Sequence, residues 1–222
     1  MTLAPALTDG RGFGPVEPSL DHLVYAVPDL DAATRAFRAA TGVDPAPGGR
    51  HLGRGTRNVL VGLRTTSYLE IIGPDPENPA DPGVAMPFGL DTLDEPRLVT
   101  WAVHPADLAA AASASAGAGA DLGEIWPLSR RTPDGVLLEW RLASAHPAPL
   151  DGVTPFLIDW GATPHPAPAL PRLTLRGLSA THPDPDAVAA VLRALDVQLA
   201  VEPGPPSLAA LIDTPRGLLV LS

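Results

Sequence analysis

Three stretches of the sequence follow one plan, and this internal repeat constrains the fold more than any other feature. Each copy reads as an apolar strand, a break of Pro and Asp and an Ala-rich helix, at residues 25–37, 101–111 and 180–192. The aspartates of the three breaks are 78 and 77 residues apart, at Asp29, Asp107 and Asp184. The segments 132–140 and 214–222 are also alike, since each is a tight turn that leads into a strand. A repeat of this length is typical of a duplicated supersecondary unit.

The first copy predicts a βαβββ module over residues 20–73. An apolar strand at 20–27 precedes Asp29, an N-cap residue, and apolar residues then recur at helical spacing until Gly42. Segments rich in Val, Leu and Ile follow at 57–63 and 67–72 and predict strands. The remaining strand of the module has the weakest pattern.

The other copies predict two more modules with the same order of elements, at residues 97–143 and 171–222, the last of them degenerate. Pro-rich connectors separate the modules at 74–96 and 144–170, and the second connector contains one strand-like piece at 154–160. Residues 1–19 are rich in Gly and Pro and are predicted to be a flexible leader. Each module leaves a sheet edge and a sheet face uncovered, so modules of this kind pair.

Composition narrows the class of protein. The chain has 222 residues, of which 45% are hydrophobic and 18% charged, as in globular proteins. A formal charge of -10 without an Arg-rich stripe argues against nucleic acid or an anionic membrane as a partner. The absence of cysteine excludes disulfides, thiolate catalysis and Cys-ligated zinc. The sequence has no signal-peptide pattern and no apolar run near the roughly 20 residues that span a bilayer, which predicts a cytoplasmic protein.

Three segments of the first module, 20–30, 48–58 and 67–72, together resemble the glyoxalase-like branch of the vicinal oxygen chelate superfamily. The segment 132–139 is similar to the closing strand of a second module in that superfamily. The resemblance covers roughly residues 20–222 and is weakest at the third copy. It implies an α+β fold in which repeated βαβββ modules pair into an open barrel-like sheet. It also implies a divalent metal held by side chains of the first and fourth strands, to which a substrate binds through adjacent oxygens.

Three residues are the metal ligands that this resemblance implies: His22, Glu70 and Glu139. His22 and Glu70 each interrupt an apolar strand, where a polar side chain is costly unless it is paired or bound to metal. Imidazole and carboxylate suit Mn, Fe, Ni or Zn. Glu139 takes the matching place in module two and would complete the triad. The alternative is that the histidines bond buried backbone and that Glu70 pairs with an arginine, Arg57 or Arg50.

The alignment of the copies departs from the family pattern at the other ligand positions. Leu98 or Thr100 stands where module two needs a first-strand ligand, and Gly177 and Leu221 match His22 and Glu70 in the third copy. His51, in a loop whose glycines allow a close approach of the backbone, is the substitute ligand or acid/base, and with Glu139 it is a candidate catalytic residue. The candidate substrate-binding residues are Arg50, Arg54, Asn58 and Trp101.

Three functions are compatible with these features, one of them a duplicated scaffold whose odd module mediates dimerisation. The first is a metal-dependent lyase, isomerase or dioxygenase that acts on a small oxygenated metabolite. The second is a metal-free protein of the same fold that binds or sequesters a small molecule. The odd third module, with its apolar end at 218–221, must be covered either by the strand at 155–160 or by a second subunit, and the sequence favours a homodimer.

Overall fold

The computed structural model describes residues 12–17, 19–132 and 135–222. Its α-helices are α1 (Leu30–Thr41), α2 (Leu108–Gly117) and α3 (Pro185–Ala194). Each helix starts after one of the repeated aspartates, whose side chain accepts hydrogen bonds from the first turn. The sequence repeat is therefore a repeat of capped helices. None of these described helices is both long enough and apolar enough to cross a bilayer.

Eight strands close a barrel in the order β1-β4-β3-β2-β6-β7-β8-β5. Their bounds are β1 (Leu20–Ala26), β2 (Ala46–His51), β3 (Thr56–Arg64), β4 (Ser67–Pro74), β5 (Arg97–Val103), β6 (Ile125–Arg131), β7 (Leu137–Ala143) and β8 (Phe156–Asp159). The strands β1 and β4 pair in parallel, and so do β5 and β8. The barrel therefore consists of two βαβββ units, joined through β1 with β5 and β2 with β6.

The α+β fold with paired βαβββ modules predicted from the sequence is confirmed, and the sheet is a closed barrel rather than an open one. The second unit ends later than the predicted boundary at residue 143. Its fourth strand is β8, which lies in the segment predicted to be a connector, so β7 is the third strand of the unit. This shift changes which residue of module two corresponds to Glu70.

The C-terminal residues form a separate four-stranded sheet in the order β10-β9-β11-β12. Its strands are β9 (Thr174–His182), β10 (Ala200–Pro203), β11 (Ser207–Thr214) and β12 (Gly217–Leu221). The third copy thus keeps the element order of the others but pairs its strands differently, since its first strand lies between the second and the third. Short 3-10 turns occur in the connecting segments at Pro87–Gly89, Pro149–Gly152 and Ala167–Ala169.

The C-terminal sheet is covered within the chain. Leu219 and Leu221 of β12 are 0% and 1% exposed and belong to one apolar cluster with residues of β1, β5 and α2. Within the described residues, the apolar strand that motivated the homodimer therefore needs no second subunit for its burial. The homodimer itself stays a prediction.

Alternation along the barrel strands separates two apolar clusters. On β1, Leu23 and Tyr25 face outward to the cluster beneath the C-terminal sheet and the helices, whereas Val24 and Ala26 face the barrel interior. Both faces of β1 are buried for this reason. Most residues of the predicted flexible leader lie outside the described ranges, but Gly14 and Glu17 bond to the C-terminal module at Leu178 and Gln198.

Candidate functional site

A cavity of about 990 Å³ lies in the barrel and opens to solvent past exposed residues, Leu52 and Trp126 among them. Polar side chains gather on the side formed by module one and β6, where His22, His51, Asn58, Glu70 and Arg130 line the cavity. Aromatic and aliphatic side chains form the other walls, at Met86, Phe88, Trp140, Leu142, Phe156 and Ile158. A large, mostly apolar cavity with a few convergent polar groups is the usual form of a small-molecule site.

A β-bulge in β1 places two consecutive polar side chains on the same side of the strand. The pairing with β5 shifts between Leu20 and His22, so Asp21 is an extra residue on β1. A bulge of this kind brings neighbouring side chains together, whereas regular alternation would put them on opposite faces. Asp21 Oδ1 consequently lies 2.6 Å from His22 Nδ1.

Asp21 is a buried carboxylate, 1% exposed, that is held by three residues. Besides His22, Trp160 Nε1 donates to Asp21 Oδ2 over 2.9 Å, and His165 Nε2 lies 3.2 Å from the same oxygen. Burial alone would raise the pKa of Asp21, but the hydrogen bonds and charges of His165 and His22 outweigh it and hold that pKa well below its usual range. Since an ionised carboxylate only accepts hydrogen bonds, Nδ1 of His22 carries the hydrogen of this bond, and Nε2 is the nitrogen that is free of Asp21.

Glu70 lies next to that free nitrogen. Its Oε2 is 3.8 Å from His22 Nε2, so β1 and β4 bring the two predicted residues together. Asn58 Nδ2 donates to Glu70 Oε1 over 2.5 Å. The arginines that the sequence offered as partners of Glu70 are engaged elsewhere, Arg50 with Asp75 and Arg57 with Asp31.

His51 lies on the other side of Glu70, with Nε2 4.0 Å from Oε1. Its Nδ1 is 3.0 Å from the hydroxyl of Thr56. Burial lowers the pKa of His51, the charge of Glu70 opposes this, and the charges of Arg130 and Arg54 add to it. The ring is therefore neutral at neutral pH and remains a candidate acid/base.

Tyr68 stacks on the His22 ring, with the ring centroids 4.7 Å apart and the planes at 14°. Burial, together with the charges of Asp21 and Glu70, raises the pKa of Tyr68 well above its usual value, so its hydroxyl stays protonated. The side chain lines the cavity. The protonated Tyr68 hydroxyl can thus donate a hydrogen bond.

Glu139 does not join this cluster. It lies on the exposed, outer face of β7, where its neighbours Trp140 and Leu142 line the cavity in alternation. The sequence alignment placed it opposite Glu70, but β7 is the third strand of its unit and β8 is the fourth. The predicted triad of His22, Glu70 and Glu139 is therefore not assembled.

The positions in module two that correspond to His22 and Glu70 hold no ligands for a metal. With the capping aspartates Asp29 and Asp107 in register, Thr100 takes the place of His22. The parallel pairs Val24 with Glu70 and Ala102 with Phe156 then put Phe156 in the place of Glu70. Both residues line the cavity.

The donor set does not fit the divalent metal (Mn, Fe, Ni or Zn) that the resemblance implies. Among the described residues, no group of three or more His, Asp or Glu side chains is placed to hold a metal ion. Facial metal sites use three protein ligands. One Glu70 oxygen is occupied by the Asn58 amide, which is a hydrogen-bond donor and not a ligand.

The predicted substrate-binding residues divide between the cavity and other places. Asn58 and Arg54 line the cavity, Arg54 as an exposed residue. Arg50 does not, because it bonds to both oxygens of Asp75 and to Glu77. Trp101 is 0% exposed, and its Nε1 donates to the Val153 carbonyl on the outer side of β5.

Three residues of the site were missed from the sequence, namely Asp21, Tyr68 and Arg130. Asp21 and Tyr68 carried a signal, since they adjoin or nearly adjoin the predicted ligands His22 and Glu70 along the chain. The contacts of Trp160 and His165 with Asp21 depend on the fold of the second connector and are not visible in the local sequence.

The comparisons with known proteins agree with this architecture. A family model described as a glyoxalase-like domain matches residues 20–195. Among solved structures, a hypothetical protein from Staphylococcus aureus is similar at 15% identity and a TM-score of 0.59, over 90% of this chain and 84% of that one. A methylmalonyl-CoA epimerase variant from Streptomyces coelicolor aligns at 22% identity and a TM-score of 0.44, over 66% of this chain and 100% of that one.

The epimerase from Mycobacterium tuberculosis aligns at 20% identity and a TM-score of 0.39, over 66% of this chain and 91% of that one. No curated protein matches the sequence. At 15% identity the likeness to the Staphylococcus aureus structure concerns the fold alone, and it covers 90% of this chain.

Proposed function

The chain belongs to the glyoxalase-like domain family of the vicinal oxygen chelate superfamily, and we propose that it is an enzyme that moves a proton on a small oxygenated metabolite inside the barrel. The observation that carries the proposal is the pair of His22 Nε2 and Glu70 Oε2, 3.8 Å apart on the wall of the cavity. This separation is too long for a hydrogen bond but allows one substrate carbon to contact both groups.

The Asp21–His22 pair gives His22 the form that a base requires. Asp21 accepts the Nδ1 hydrogen, which fixes the tautomer and the ring orientation and stabilises the imidazolium that forms when Nε2 takes a proton. Trp160 and His165 contact the other carboxylate oxygen of Asp21, Oδ2, and so fix its position. A histidine with only a structural role would not need a buried carboxylate at Nδ1 and a second nitrogen at the cavity, so this arrangement supports general-base catalysis.

In the proposed reaction, a C–H bond next to a substrate carbonyl breaks and its proton goes to His22 Nε2. The bonding electrons move to the carbonyl oxygen and give an enolate, to which the Tyr68 hydroxyl donates a hydrogen bond. Glu70 balances the charge of the imidazolium and is placed to exchange a proton with the same carbon. Return of the proton to another face or carbon completes an isomerisation, and loss of a β-substituent completes a lyase reaction.

The other functions predicted from the sequence use the same cavity. A metal-dependent reaction, the dioxygenase type included, needs three protein ligands around one ion. His51 lies 4.0 Å from Glu70, but the described residues contain no group of three His, Asp or Glu side chains that could hold a metal ion. A metal-free binding protein needs the cavity and its aromatic walls but not the Asp21–His22 pair. A cytoplasmic location remains a prediction from the sequence.

Proton exchange in heavy water tests the proposal without a known substrate. The full chain, treated with a chelator, is incubated in D2O with a panel of 2-oxo and 2-hydroxy acids, aldehydes and ketones, and deuterium entry is followed by NMR. We expect exchange at a carbon next to a carbonyl in at least one compound. His22→Gln and Glu70→Gln should each lower that rate by about 100-fold or more, the usual contribution of a general acid or base.

The control is Glu139→Gln, a matched loss of one carboxylate outside the cavity, which should exchange like the wild type. Exchange that requires added Mn, Fe(II), Ni or Zn would replace this proposal with the metal-dependent one. Binding of panel compounds without any exchange would favour the binding protein.

A further inference from the structure

Arg130 is a buried cation that forms no ion pair with any carboxylate of the described residues. It lies on the inner side of β6, lines the cavity and is 6% exposed. Among the described residues its guanidinium makes one hydrogen bond, from Nη1 to Asn58 Oδ1 over 3.4 Å, and no ion pair. By contrast, five arginines that are more exposed than Arg130 form ion pairs with carboxylates, namely Arg38, Arg50, Arg57, Arg141 and Arg176. A buried charge is costly unless it is paired, so the arrangement predicts an anion from outside the chain.

The chain keeps this cation available. Asn58 lies between Arg130 and Glu70 and directs its carbonyl oxygen to the guanidinium and its amide nitrogen to the carboxylate. The two charges are thereby held apart, and both face the cavity. Gly48 makes the room, since a Cβ there would lie 2.1 Å from Asn58 Oδ1 and 2.8 Å from Arg130 Nη1.

We propose that Arg130 binds a carboxylate of the substrate, and that the substrate class is a small 2-oxo carboxylate with an apolar side group. The 2-oxo part of this inference rests on the proton transfer proposed above, and the carboxylate part rests on Arg130 alone. The nitrogens of the guanidinium not bonded to Asn58 match the two oxygens of a carboxylate. The apolar group would contact the aromatic wall of Phe88, Trp140 and Phe156.

A carboxylate fits the charges of the site better than a phosphate does. Arg130 is the buried cation among the described cavity residues, whereas Arg54 and Arg97 line the cavity as exposed residues. Glu70 lies one amide away from Arg130. Because Glu70 is also an anion, a single guanidinium leaves less uncompensated negative charge with a bound monoanion than with a bound dianion.

Calorimetric titration of the full chain with three probes tests the inference: phenylacetate, its neutral analogue phenylacetamide, and phenyl phosphate. We expect the wild type to bind phenylacetate in preference to the other two. Arg130→Gln should weaken phenylacetate binding by about 30-fold or more, the effect of truncating one side of a buried charge pair, and leave phenylacetamide unchanged. The affinity of Arg130→Lys for phenylacetate should lie between those of the wild type and Arg130→Gln, because lysine keeps the charge but cannot bind both carboxylate oxygens in the planar geometry of a guanidinium.

Arg64→Gln is the matched control, since Arg64 is an exposed residue at the end of β3 and does not line the cavity. It should bind phenylacetate like the wild type. The melting temperature of unliganded Arg130→Gln should equal or exceed that of the wild type, because an uncompensated buried charge is removed. A marked fall would instead identify Arg130 as a structural residue and overturn the inference.

The inference is also overturned if the wild type binds neither acid nor amide, binds the amide as tightly as the acid, or prefers phenyl phosphate. Binding is measured without turnover, so the two proposals can fail separately. Arg130-dependent binding without deuterium exchange would leave the carboxylate site standing and refute the proton transfer. Deuterium exchange of a 2-oxo acid that is unaffected by Arg130→Gln would support the proton transfer and refute the carboxylate site.

Discussion

Replacing Asp21 with asparagine should destabilise the fold by about 3 kcal/mol at neutral pH, although Asp21 itself does not line the cavity. The side chain is 1% exposed, accepts hydrogen bonds from Trp160 Nε1 and His22 Nδ1, and lies 3.2 Å from His165 Nε2. Removing one partner of a buried ionic group costs about 3–5 kcal/mol. The lower end applies because the asparagine side-chain oxygen can still accept the hydrogen bond from Trp160 Nε1.

The destabilisation should depend on pH in a defined direction. The pKa of Asp21 in the folded chain is far below its value in an unfolded chain, which is about 3.9. Its stabilising contribution is thus complete above that unfolded value and is lost as the pH falls towards the folded pKa. Below about pH 3.9 the difference between the two proteins should shrink by about 1.4 kcal/mol per pH unit.

Urea unfolding, followed by tryptophan fluorescence at pH 7.5 and pH 3, measures both effects. At pH 7.5 the variant should also melt about 6–12 °C below the wild type. Asp94→Asn, which replaces an exposed carboxylate without a partner among the described residues, is the control and should unfold like the wild type. A change of less than about 0.5 kcal/mol at pH 7.5, the usual size for a neutral surface substitution, would refute the buried cluster around Asp21. An equal destabilisation at both pH values would refute the role of its charge.

Three further outcomes are expected. Millimolar Mn, Ni or Zn should raise the melting temperature of the wild type by less than about 1 °C, because an ion stabilises a protein only by binding its folded state and the described residues contain no metal-binding group. A larger shift that His22→Ala abolishes would show a metal site. Gly48→Ala should displace Asn58 and Arg130 and weaken phenylacetate binding by about tenfold or more, whereas Gly117→Ala, where a Cβ meets nothing within 4 Å, should leave the affinity unchanged. Equal affinities of the two variants in calorimetry would contradict the described contacts of Gly48. Deletion of residues 218–222 should destabilise the chain by more than about 4 kcal/mol, because it removes Leu219 and Leu221 from the core, whereas removal of Ser222 alone should not. A truncated chain that unfolds in urea like the full one would show that β12 is not packed in this way.

The paired modules were predictable because each carries its own local signals. Asp29, Asp107 and Asp184 cap helices and follow apolar strands, and both features are visible within a dozen residues. The pairing of the strands was less accessible. The strand β8 has four residues in a Pro-rich segment, so local pattern did not distinguish a connector from the strand that completes module two. The different strand order of the third copy depends on tertiary contacts and not on its sequence pattern.

The candidate site shows the same division. His22 and Glu70 were predictable because each interrupts an apolar strand, and the structure brings them together. Glu139 was misplaced because the strand count of module two was short by one, which assigned it to the fourth strand and to the cavity. Asp21 was missed because regular alternation predicts that it faces away from His22, and the bulge reverses this.

A crystal structure of the full chain with phenylpyruvate, a 2-oxo carboxylate with an enolisable carbon and an aromatic group, would show the carboxylate site and the proton-transfer site together. We expect both carboxylate oxygens within hydrogen-bond distance of the Arg130 guanidinium, about 3 Å. We also expect the enolisable carbon within about 3.5 Å of His22 Nε2 or a Glu70 oxygen, the distance of a reacting pair. A ligand whose carboxylate lies on Arg54 or Arg97 at the exposed part of the cavity, with His22 and Glu70 out of reach, would contradict both expectations.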